Sequence, residues 1–191
     1  MRESLKERCE LFIDNRDVVK KAFSMENSCF YPICAALYTE KRKSADAERL
    51  KECRAILKRK TGVFSSFRGA AVTSIITMLA LDDDPDGRLD RALAFYKELK
   101  EHFCSSEYLP VAAMMLSRTV EPEQYASVSE RARKIYDLMK SEHPFLTSSE
   151  DSVFAVMLAL SSLSDDDIVR ETEICYNALR ERFKSRNAVQ S

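Results

Sequence analysis

The 191-residue chain is 45% hydrophobic and 32% charged, long enough for one domain with a sizeable core and too apolar for a disordered one. Its 30 basic and 31 acidic residues leave a net charge of −1, so no whole-molecule field draws it to nucleic acid or to an anionic membrane, and both are disfavoured as partners. Three glycines and five prolines are too few for the turns of a many-stranded β protein, which leaves an all-α fold.

From the N-terminus, Leu5, Cys9, Phe12, Val19 and Phe23 recur at helical spacing and predict an amphipathic helix with one buried face. An uncharged stretch, Asn27 to Thr39, predicts a second and more buried helix. The alternation continues. Charged helices, type A, carry Leu50, Cys53 and Leu57, then Leu89, Ala92, Tyr96, Leu99 and Phe103, then Val128, Ala132, Ile135 and Met139, then Ile168, Thr172, Cys175, Leu179 and Phe183. Uncharged helices, type B, are predicted over Gly69 to Leu81, Tyr108 to Ser117 and Ser152 to Ser164. None reaches the roughly 18 apolar residues of a membrane span.

A phenylalanine followed by serine marks the end of each A helix, at Phe23, Phe64, Phe103, Phe145 and Phe183, with spacings of 41, 39, 42 and 38. That period is near that of two-helix repeats, in which one hairpin buries its apolar face only by stacking on the next. The expected fold is therefore tandem antiparallel helical hairpins of about forty residues, α-solenoid-like or a partial α/α toroid. It makes a single helical-repeat domain over residues 1–191, with serine N-caps opening the B helices. Nine full helices are expected and a tenth begun, because Arg186 to Ser191 resembles Arg68 to Ser74; the fifth hairpin thus reads as truncated. B helices should lie inside and A helices outside.

The segment Leu57 to Gly69, with Lys60-Thr61-Gly62-Val63-Phe64-Ser65-Ser66-Phe67-Arg68-Gly69, resembles a bacterial family known as domain of unknown function 4003. The likeness extends over most of the chain. It implies a bacterial cytosolic protein, longer than this chain, and supplies no activity.

Few residues invite chemistry. Asp82, Asp84, Asp86 and Gly87 match the opening of a calcium loop, but Leu93 stands where a bidentate carboxylate is required. The same acids read as the aspartate-rich pattern of isoprenoid synthases, which needs an unbroken helix where Pro85 stands. An Asp84 N-cap explains them more simply. His102 and His143 are too few for a zinc site, and the runs Lys41-Arg42-Lys43 and Lys58-Arg59-Lys60 suit helix C-termini.

No catalytic residue, metal or cofactor is assigned. The six cysteines lack a C-x-x-C pair and read as reduced, mostly buried thiols of a cytoplasmic protein. One turn invites a ligand: Ser65, Ser66, Arg68 and Gly69 could accept an anion at a helix start. The plainer reading is a Gly62 C-cap, a serine N-cap and an Arg68 paired with an acid. Two functions follow from the pattern. The first is a non-catalytic scaffold or protein-interaction module, its partner another protein or a second copy held through the apolar B helices. The second is a toroidal enzyme or ligand-binding protein with an anion-accepting pocket at the B-helix starts.

Overall fold

The computed structural model describes residues 2–183, and among these the chain is all-helical with no strand. Its helices are α1 (Arg2–Ala22), α2 (Phe30–Glu40), α3 (Ala47–Lys60), α4 (Val72–Ala80), α5 (Pro85–His102), α6 (Leu109–Leu116), α7 (Tyr125–Glu142), α8 (Asp151–Ala159) and α9 (Asp165–Arg180). Short 3-10 turns at Ser66–Arg68 and Pro122–Gln124 precede α4 and α7. The predicted tenth helix falls outside the described residues.

The charged helices start on strong local signals. Asp46 accepts from the Glu48 amide, Asp84 from the Gly87 amide and Ser164 from the Asp167 amide, each satisfying a donor that the helix leaves unpaired. Asp165, Asp166 and Asp167 add negative charge at the N-terminus of α9, and Lys58, Arg59 and Lys60 add positive charge at the C-terminus of α3, both favoured by the helix dipole. In α5, a Cβ on Gly87 would lie 2.2 Å from Asp84 Oδ2, so glycine is what lets this cap close.

The uncharged helices start differently from the expectation. The N-cap residues of α2, α4, α6 and α8 make no side-chain cap; the serines sit earlier, where Ser65 Oγ accepts from the Phe67 amide in the turn before α4 and Ser106 Oγ from the amide of Leu109, the first residue of α6. The helix α8 also stops at Ala159, short of the predicted Ser164, because the carbonyls that follow are drawn to an arginine described below.

The charged helices pack on the uncharged ones that follow them, α1 on α2, α3 on α4, α5 on α6 and α7 on α8. Contacts α2–α4, α4–α6 and α6–α8 join the uncharged helices, and α1–α3, α3–α5, α5–α7 and α7–α9 join the charged ones. One continuous core runs from Val19 to Ile168. Burial follows charge: α4 is buried at Val72 to Thr77 and again at Leu79, whereas α9 buries only Ile168 and Tyr176. Among the described residues no helix is long and apolar enough to cross a membrane.

Candidate interaction surface

Two devices recur along the chain, and both tie one helix to the backbone or ring of another. The first is a polar side chain on a charged helix that donates to carbonyls at or beyond the end of the uncharged helix after it. On α1, Asn15 Nδ2 donates to Lys43 O at 3.0 Å while Asn15 Oδ1 accepts from the Ala45 amide at 2.7 Å. Arg49 on α3 donates to Asp82 O at 3.0 Å, and Arg88 on α5 donates to Met114 O at 2.7 Å. Arg131 on α7 donates to Ala159 O and Ser161 O, both at 2.9 Å, to Leu163 O, and to the Asp165 carboxylate. Helix C-termini leave four carbonyls unpaired, and a guanidinium with five donors satisfies several at once. Nothing in the sequence period marks these residues as a set.

The second device is an aromatic contact from the turn after a charged helix to the next charged helix. The Arg54 guanidinium sits 4.8 Å over the Phe23 ring, Phe67 meets Tyr96 edge-on at 5.1 Å, Phe103 meets Tyr136 edge-on at 5.6 Å, and His143 lies 4.4 Å from Tyr176. These contacts correct the phenylalanine marker read from the sequence. Phe23 and Phe103 are buried, but Phe64 and Phe145 are 101% and 98% exposed. Phe67, at 0% exposure, and His143 take the inner places, because the 3-10 turn at Ser66–Arg68 rotates Phe67 inward.

The acidic turn before α5 is internally paired. Asp82, 8% exposed at its side chain, binds Arg88 at 3.0 Å and Arg118 at 3.2 Å. Burial alone raises its carboxyl pKa, but the Asp84 amide and the two arginines outweigh it and hold Asp82 below the ordinary carboxylate range. Asp84 is the cap of α5, and Asp86 pairs with Arg59 at 2.5 Å and Lys60 at 3.2 Å. Arg59 and Lys60 of the basic run thus join α3 to α5. Among the described residues no cluster of His, Cys, Asp and Glu is placed to hold a metal ion.

The turn singled out for a ligand is held by its own hydrogen bonds. Among the described residues Arg68 pairs with no acid: its Nε donates to Thr61 Oγ1 at 3.0 Å and its Nη2 to Thr61 O and Lys58 O. It closes the C-terminus of α3, where Thr61, in an extended conformation, is the C-cap in place of Gly62. Ser65 accepts from the Phe67 amide, Ser66 Oγ lies 3.2 Å from Ser105 Oγ of the next turn, and a Cβ on Gly69 would approach Ser66 O to 3.2 Å. Further along the same edge, a cavity of about 210 Å³ is lined by Cys104, Ser106, Arg133, Lys140, Ser149 and Ser152, among others, beside the starts of α6 and α8. Arg133 there also donates to His102 O and pairs with Asp137.

The thiols depart from the expectation as well: Cys34 and Cys53 are buried, while Cys9, Cys29, Cys104 and Cys175 are exposed. Burial raises the Cys34 thiol pKa and pushes Cys53 up to about 11, so neither is a thiolate nucleophile at neutral pH. What the fold leaves open is apolar. The buried helices α2, α6 and α8 each keep large side chains in water, namely Ile33, Met115, Phe154 and Met157.

Residues 15–191 match the sequence profile of the family described as Protein of unknown function (DUF4003). No curated protein and no solved structure matches the chain.

Proposed function

The chain belongs to the DUF4003 family, and we propose from its geometry that it is a non-catalytic, cytoplasmic protein-interaction module built of tandem helical hairpins in a single domain. Three things support the hairpin reading: the order of helix contacts, the clamp by Asn15, Arg49, Arg88 and Arg131, and the four aromatic contacts, each of which returns once per pair of helices. Such devices connect neighbours only, as in stacked repeats.

The observation that carries the function is that three of the four uncharged helices keep large apolar side chains exposed, Ile33 on α2, Met115 on α6, and Phe154 and Met157 on α8. These side chains are about half exposed, so covering one releases roughly half of the 1.5–3 kcal/mol of full burial, about 1 kcal/mol, and several together make a binding surface. The test places a photo-crosslinking amino acid at Ile33, at Met115 and, as a control, at exposed Lys51. The reading expects a discrete adduct from the first two positions and none from Lys51, with Ile33→Asp and Met115→Asp abolishing it at unchanged melting temperature. Adducts of equal yield at all three positions, or none, would refute it.

The second reading, an anion-accepting pocket at the starts of the inner helices, is favoured by the cavity beside α6 and α8, where Arg133 and Lys140 face two serine turns. Ser65, Ser66, Arg68 and Gly69 form the preceding turn of the same edge, joined through Ser66 and Ser105. Titration with inorganic phosphate should then shift the amide resonances of Ser106 and Ser149, and Lys140→Ala should remove the shift.

A further inference from the structure

Three of the turns that follow charged helices hold a large apolar side chain out in water. In each, one backbone bond closes four residues: the Glu26 amide donates to Phe23 O at 2.9 Å, the Ser65 amide to Gly62 O at 3.1 Å and the Leu146 amide to His143 O at 3.1 Å. The third residues of these turns are Met25, Phe64 and Phe145, exposed by 94%, 101% and 98%, and Val63 beside Phe64 is 76% exposed. None of these corner residues has a positive φ, and such turns admit most side chains. The backbone thus does not call for an apolar residue at the corner, water disfavours one there, and none of the four belongs to the core.

The first two tips share one end of the molecule by direct contact. The Arg54 guanidinium lies over the Phe23 ring, and its Nη1 lies 3.2 Å from Glu26 Oε1, which pins the turn carrying Met25 to α3 about one helical turn before Lys58. Helix α3 ends at Lys60 and leads into the turn carrying Val63 and Phe64. Charge around these tips is of one sign. Lys20, Lys21 and Lys58 are exposed and pair with no acid among the described residues. The only acid in residues 20–30 and 58–71 is Glu26, which Arg54 takes. Acidic runs lie at the starts of α5 and α9, so the near-zero net charge is a sum over unlike ends of the charged helices and does not describe this one.

The form of the edge selects between partners. A protein partner is held by a packed cluster of neighbouring side chains, whereas Met25 and Phe64 project from the corners of separate turns. A bilayer interface takes each such side chain independently, while lysine lays its stem along the apolar boundary and keeps its charge among the lipid phosphates. We propose that the edge formed by the turns Phe23–Glu26 and Gly62–Ser65 docks on an anionic phospholipid surface, with Met25, Val63 and Phe64 entering the interface and Lys20, Lys21 and Lys58 facing the headgroups. The chain then lies on the membrane without spanning it, and the inner-helix surface of α2, α6 and α8 stays free for a protein.

The chain has no tryptophan, so Met25→Trp and Phe64→Trp each place a single fluorophore at an exposed tip, and Phe154→Trp on α8 is the control. Each full-chain variant is titrated with vesicles of phosphatidylcholine, with and without phosphatidylglycerol. Emission from positions 25 and 64 should move to the blue with the anionic vesicles alone, and high salt should reverse the shift; position 154 should not respond. In co-sedimentation with the same vesicles, Phe64→Asp and the double variant Lys20→Glu, Lys58→Glu should each weaken binding by more than about tenfold, with unchanged melting curves. A wild type that does not bind the anionic vesicles, an equal blue shift at position 154, or binding indifferent to both variants would overturn the proposal. So would a discrete protein adduct from a photo-crosslinking amino acid at position 64 in cells, since it assigns the edge to a protein. The module reading is tested apart from this, by the crosslinks from α2 and α6.

Discussion

Replacing Arg88 by methionine keeps most of the side-chain volume and removes the charge from a buried junction of three elements. Arg88 Nη1 lies 3.0 Å from Asp82 Oδ2, and Arg88 Nη2 lies 2.7 Å from Met114 O. Removing one partner of a buried pair costs about 3–5 kcal/mol when the other is stranded. Here Asp82 keeps Arg118 at 3.2 Å and the Asp84 amide, which reduces that part to about 2 kcal/mol, and the Met114 carbonyl loses its charged donor for about 1 kcal/mol more.

The expected loss for Arg88→Met is therefore about 3 kcal/mol, or roughly 6–12 °C in melting temperature for a chain of this size. Urea unfolding of Arg88→Met, Asp82→Asn and the double variant should give a coupling of at least about 1 kcal/mol, since the two share one interaction. Acid dependence supplies an independent reading. The folded Asp82 is held below its ordinary pKa, so its contribution is present above about pH 4, where the unfolded carboxyl is ionised, and is lost as pH falls through the folded value. Asp82→Asn should flatten that acid limb. An Arg88→Met loss under about 1 kcal/mol, or additive single effects, would refute the reasoning.

Two phenylalanines three residues apart should separate cleanly: Phe67→Ala, at a wholly buried ring, should cost about 3–5 kcal/mol, and Phe64→Ala less than about 0.5 kcal/mol, as measured by urea unfolding. Arg42 is the only non-glycine residue with positive φ among the described residues, at 52°, and follows α2 where Lys43 N bonds Tyr38 O and Arg42 N bonds Thr39 O; Arg42→Gly should raise thermal stability, by about 1 kcal/mol. Arg68→Ala should lower stability by about 1–2 kcal/mol through the carbonyls it leaves at the end of α3, so a variant with an unchanged melting curve would show that the closure of α3 does not depend on it.

Charge partition between helices was readable from residue order, because a buried helix excludes ionised side chains wherever it sits in the fold. The uncharged stretches around Ile75, Ala113 and Ala155 read as inner helices, and Asp84 with Pro85 read most simply as the start of a charged one. The family resemblance at Leu57 to Gly69 was equally local, and the family match confirmed it. What the order of residues left open was which side of each turn faces inward. Phe64 and Phe67 have the same chemistry, and the choice between them rests on a 3-10 turn that fits Phe67 against Tyr96. The clamps were out of reach for a related reason. An arginine on an amphipathic helix reads as solvated until the end of another helix, about thirty residues away, brings bare carbonyls to it, as Met114 does for Arg88 and Ala159 for Arg131. Those pairings depend on the distance between helices packed across the core, and only the tertiary structure sets that distance.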